Sequence, residues 1–151
     1  MLLADRFGMV ARREVRQLPV YGLVVDDPSR GHKLKPTTVE TCPPQSPESL
    51  ADPAAPPPCG FIRPGPTGIA GRRVGLPLVA ELLSPFTDRA AILDRSGADG
   101  LFDIDLAFET MNPSGTSIYT AVREQLGLRL DPQTGPVPVV VIEKIERPTE
   151  N

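Results

Sequence analysis

The 151-residue sequence has no tryptophan, one histidine and two cysteines, and its aromatic complement is five Phe and two Tyr. One histidine excludes a His-rich metal site. With no GxSxG elbow either, His32 cannot complete a Ser-His-Asp set and reads as a surface residue. The two cysteines form no CxxC pair, which argues against a zinc site. Neither GxGxxG nor GxxxxGK[ST] occurs; Gly68-Ile69-Ala70-Gly71 with Arg72 and Arg73 reads as a turn and an exposed strand, not a phosphate loop. No run reaches the ~18 consecutive apolar residues of a membrane span. Met1-Leu2-Leu3-Ala4 leads at once into Asp5 and Arg6, with no apolar signal core. The chain therefore reads as one that starts inside a structural element. No cofactor is expected.

Proline is the excess: 19 of 151 residues, about 13% against a usual ~5%. Ten of them fall in residues 36–66, so the excess belongs to one segment. Cys42 and Cys59 bracket the richest part of it. In an oxidising compartment they would close this loop; in a reducing one they would be two free thiols. The residues alone leave both open. The net charge of −3 conceals a basic start: residues 1–35 hold seven Lys/Arg and four Asp/Glu, while residues 36–151 hold nine and fifteen. The overall balance is acidic and few rings lie among the basic residues, so nucleic-acid binding is not expected.

Residues 1–7 read as the end of a helix capped by Gly8, followed by two extended runs, 9–16 and 20–25. Residues 27–66 read as a Pro-rich linker or insertion. From Thr67 the order is β-α-β-β-α-β-β: strand 69–74, helix 75–84 with Pro77 in its first turn, strand 91–94, strand 101–109, helix 117–126 capped by Gly127, and strands 128–130 and 137–145. In strand 101–109, Phe102, Ile104, Leu106 and Phe108 alternate with acidic Asp103 and Asp105, a half-buried pattern. The predicted fold class is α+β. A βαββαββ domain spans 67–146, with two helices packed on small mixed sheets, and its core centres on 101–109 and 137–145. An α-β-β remnant of a similar repeat occupies 1–26, and a polar tail 147–151. The repeat rests on shared order: Phe7-Gly8-Met9 matches Leu126-Gly127-Leu128, and Pro19-Val20 matches Pro136-Val137.

These landmarks resemble an exported soil-bacterial family of unknown function expanded in acidobacteria. The resemblance is carried by the LLADRF helix end (2–7), the charged strand (12–16), LPVYGLVV (18–25), KLKP (33–36), LVAELLS-type helix residues (78–84), the 93–106 hairpin, QLGLRL (125–130), GPVPVVVI (135–142) and the ERPTEN tail (146–151). Some members of that family are fused to antirepressor-type membrane metallopeptidases. The resemblance implies an extracytoplasmic location, longer N-termini in full-length members, and a Cys42–Cys59 disulfide. Its element order is similar to the short N-terminal domain of secretins and TonB-dependent receptors, a protein-interaction module.

The expected function is a non-catalytic extracytoplasmic binding or sensing module with a protein partner. Its contacts would lie on a face bearing Asp103, Asp105, Arg12 and Arg13. The alternatives are a small hydrolase using carboxylates such as Asp94 and Asp99, and a self-associating structural envelope protein. Asp94, Asp99, Asp103 and Asp105 surround a Gly-rich turn without the alternating oxygens of a calcium loop.

Overall fold

A computed structural model describes residues 7–44, 55–109 and 115–147. The expected helix over 1–7, the break at 112–114 and most of the polar tail lie outside these residues, although Phe7 itself is helical. The element order is β1 (Val10–Val25), β2 (Lys35–Pro36), β3 (Ile62–Gly65), β4 (Gly68–Val74), α1 (Leu76–Leu83), a 3-10 turn (Ser84–Phe86), β5 (Ile92–Asp94), β6 (Phe102–Ala107), α2 (Ile118–Leu126) and β7 (Leu128–Lys144). The fold class is α+β, with two helices and two small sheets of order β5-β1-β7 and β2-β6-β4-β3. The chain forms two compact units, Pro19–Gln133 and Met1–Leu18 with Thr134–Asn151.

The larger unit holds most of the apolar core. Phe102, Ile104 and Leu106 of β6 and Phe108 just beyond it are buried, as their alternation predicts, while Asp105 is exposed. β4 runs antiparallel to β6, with Ile69 opposite Leu106 and Gly71 opposite Ile104. Helix α1 contributes Leu76, Val79, Ala80 and Leu83 from one stripe. Pro77 costs it nothing, because first-turn N–H groups have no intrahelical partner. Helix α2 contributes Ile118, Ala121, Val122 and Leu126. Ser117 caps its start by accepting a hydrogen bond from the Thr120 amide, and Gly127 ends it at φ 65°. Gln125 pairs with both backbone groups of Ala107, at 2.9 and 2.7 Å, tying α2 to the end of β6. Each fully buried Leu or Phe of this cluster contributes roughly 1.5–3 kcal/mol.

In place of the two expected N-terminal strands one 16-residue strand forms, and in place of the separate strands 128–130 and 137–145 β7 runs unbroken for 17 residues. The prolines explain why neither strand breaks. Pro19 supplies only an acceptor, its carbonyl taking the Ala90 amide at 3.2 Å. Pro132, Pro136 and Pro138 sit on a strand that ends the sheet order, and they share one parity. Their missing N–H groups therefore fall along the outer edge and remove no ladder bond.

The segment expected to be a Pro-rich linker or insertion contains β2, paired to β6 at Lys35–Asp103, and β3, paired to β4 from Ile62 to Gly65. The expected core over 137–145 requires correction. Val137 is buried and Val139 and Val141 are half-buried, but Val140, Ile142 and Ile145 are 56–64% exposed, so this strand is not a centre of the core. They belong to the smaller unit, in which no helix of the described residues covers the ribbon formed by the ends of β1 and β7.

Candidate functional site

Four features compete for the site: the two charged groups read from the sequence, the cysteine loop, and a cluster of aromatic rings around Asp88.

The acidic face divides. The Asp103 carboxylate accepts the Arg73 amide at 3.1 Å. Arg73 has φ 55°, a left-handed conformation unusual for a side chain of this kind. Its guanidinium donates to the carbonyls of Val39 and Glu40, at 3.0 and 2.9 Å. Asp103 therefore steadies a strained bend in β4 that clamps residues 39–40. Asp105 remains exposed on β6 and lines an open cleft with Arg63. Arg12 is engaged within its own ribbon, with Glu143 at 2.7 Å and with Glu14, while Arg13 is exposed. Asp103 and Asp105 lie in one unit and Arg12 and Arg13 in the other.

Asp94 accepts both the amide and the hydroxyl of Ser96 through Oδ1, at 3.0 and 2.7 Å, an Asx turn. His32 sets its ring edge-on to Phe102, with centroids 5.8 Å apart. Among the described residues no group of three or more His, Cys, Asp or Glu is placed to hold a metal ion. Among them, too, no helix is long and apolar enough to cross a membrane.

Cys42 and Cys59 are joined by a disulfide, with Cα atoms 5.5 Å apart. Cys59 forms an isolated bridge with Arg72, and the Gly60 amide donates to the Arg72 carbonyl at 2.8 Å. The disulfide and the Arg73 clamp together tie residues 39–42 to the β3–β4 side of the larger unit.

The sequence reading did not anticipate the fourth feature. Asp88 follows the 3-10 turn, and its carboxylate accepts from the hydroxyls of Tyr21, at 2.9 Å, and Tyr119, at 3.1 Å. The two tyrosine rings meet edge to face at 5.6 Å, and the Arg89 guanidinium lies 4.9 Å over the Tyr21 ring. Tyr21 is 9% exposed and Tyr119 40%. The Tyr21 hydroxyl, followed by that of Tyr119, holds the Asp88 carboxyl below the usual carboxylate range. Tyr119 is pushed above its ordinary value, first by burial and then by its tyrosine and carboxylate neighbours.

Beside this cluster opens a cleft of about 530 Å³ walled by Phe86, Phe108 and Tyr119, with Asp88, Glu109 and Ser117 as its polar lining. Phe86 and Phe108 meet edge to face at 5.3 Å. Four chain segments supply these groups: β1, the loop after α1, the end of β6 and the first turn of α2. The only sequence signal was the scarcity of aromatic residues, which makes the convergence of both tyrosines and two phenylalanines notable.

A family model described as a protein of unknown function, DUF3738, matches residues 1–145. The chain belongs to that family. No curated protein and no solved structure matches it.

Proposed function

From that membership, we propose that the chain is a non-catalytic, extracytoplasmic protein-interaction module whose Asp88 cleft seats a basic side chain flanked by an apolar one. The observation that carries this is the Tyr21–Asp88–Tyr119 cluster at the mouth of an aromatic cleft. With the carboxyl held low it stays ionised, and with the tyrosine held high it stays protonated, through the neutral range, which suits a fixed recognition surface and not proton transfer. An ionised carboxylate beside aromatic faces favours a lysine or arginine, by charge and by cation–π contact. The extracytoplasmic location is supported by the Cys42–Cys59 disulfide, since such bonds persist in oxidising compartments. The resemblance to an exported family with metallopeptidase fusions, and to the short N-terminal domain of secretins and TonB-dependent receptors, points the same way at the level of analogy.

A library of short peptides displayed against the purified protein tests the reading. Retained peptides should pair Lys or Arg with a neighbouring apolar residue, and Asp88→Asn should lose them while its melting stays cooperative. Retention without that preference, or untouched by Asp88→Asn, would overturn it.

A further inference from the structure

The smaller unit carries an open strand edge. Along β1, Tyr21 donates its amide to Ala91 (2.9 Å), Pro19 accepts from Ala90 (3.2 Å) and Leu23 accepts from Arg95 (2.9 Å), so the odd-numbered residues turn their backbone groups toward the β5 side. β5 pairs only with Tyr21, Gly22 and Leu23. Strand alternation carries the N–H and C=O groups of Gln17, Val15, Arg13 and Ala11 along the same edge. No strand of the described residues lies beside them, and all four residues are exposed, Val15 by 67%. No proline interrupts residues 10–18, whereas the outer edge of β7 carries three. One edge is guarded and the other is left as a template for pairing.

The charges along the open edge select its occupant. Arg12 and Arg16 both pair with Glu14 on one face of the strand. An antiparallel pairing of β1 with itself centred on Arg13 sets Arg13 against Arg13. Centring on Glu14 sets Glu14 against Glu14 and Arg12 against Arg16. Centring on Val15 sets Val15 against Val15, Glu14 against Arg16 twice, and Arg13 against Gln17. That register opposes no like charges and places odd residues opposite odd residues, as a hydrogen-bonded antiparallel edge requires.

We propose that a second copy of this chain pairs along the β1 edge, antiparallel about Val15, to form a two-fold dimer. The proposal rests on the interaction-module reading and names one partner for it. A monomeric chain that still retained basic peptides would fail the dimer and spare that reading.

The experiment is mass measurement by light scattering over a dilution series of the full chain. Wild type should give a dimer that dissociates on dilution. Val15→Pro removes the central N–H from an edge where it has no partner among the described residues, and should raise the dissociation constant about tenfold or more. Arg16→Glu should do the same by setting like charges opposite each other. Glu14→Arg combined with Arg16→Glu should restore dimerisation. A monomer at every concentration overturns the proposal, as does a dimer indifferent to both single variants. If Val15→Pro unfolds the chain, the charge swap and its rescue decide alone.

Discussion

The two ends of β7 make an instructive pair. Near its start Leu128 is fully buried; towards its end Val140 and Ile142 are more than half exposed. All three are apolar residues of one unbroken strand. The difference lies in what covers them. In the Pro19–Gln133 unit, helices and a second sheet supply an opposing layer; in the other unit no helix of the described residues covers the ribbon, and Val137 is the one buried apolar side chain among them. A sheet face becomes core only where another element buries it, so an apolar run is a necessary mark of core and not a sufficient one.

The sharpest way to break this contrast is a charge on each side of it. Ile104→Asp puts an unpartnered carboxylate among buried Phe102, Leu106 and Val74, and should cost more than about 4 kcal/mol, enough to abolish a cooperative melt. Val140→Asp should stay within about 0.5 kcal/mol of wild type. Equal losses in thermal melting would show that the ribbon is covered after all.

Next in size is the disulfide. Cys42→Ser with Cys59→Ser releases a loop of sequence separation 17 and should cost about 3 kcal/mol by the chain-entropy account. The loss should appear in the melting of the larger unit, and an unchanged midpoint in denaturant would exclude a stabilising role for the bond.

Gly127→Ala should cost about 1–2 kcal/mol. The residue holds φ 65°, and an added Cβ would stand 3.0 Å from the Lys33 amide nitrogen, whose hydrogen bond to the Leu126 carbonyl docks residues 32–33 on the end of α2. Gly8, at φ 52° in the other unit, would place a Cβ only against the flexible Glu146 carboxylate, so Gly8→Ala meets less resistance. Urea midpoints of the two variants compare them directly.

The smallest effect is pH dependence. Asp88 has its pKa lowered, so its contribution is present above the unfolded carboxylate value and fades as pH falls through the folded one. Tyr119 has its pKa raised, so its contribution is present below the unfolded tyrosine value and fades as pH rises through the folded one. Stability should therefore soften slightly at both acidic and strongly alkaline pH, with a flat middle. Tyr119→Phe should remove the alkaline limb. Tyrosine absorbance followed during alkaline titration checks it, and a tyrosine ionising at its ordinary value in the wild type would contradict the cluster.

Much of the larger unit was legible from local pattern. The alternation of Phe102 to Phe108, the stripe Val79–Leu83 with Pro77 before it, and Gly127 after a helical run each encode their own conformation, because period, capping and φ preference act within a few residues. The site was less legible. Asp103 looked like half of an acidic face, yet it serves the strained Arg73 amide across a β-bulge, a contact that depends on strand register. Asp88 stands 67 residues from Tyr21 and 31 from Tyr119, and the three carry no motif.

What the sequence by itself determined is the α+β class, the two described helices and the half-buried strand β6. What only the tertiary structure decided is whether two strands would fuse into one, which apolar face would be covered, and which carboxylate would meet two tyrosines. The physical reason is range. Propensity and periodicity are set by neighbours along the chain, whereas burial, ladder pairing and the polarity of a cleft are set by segments that meet only after folding.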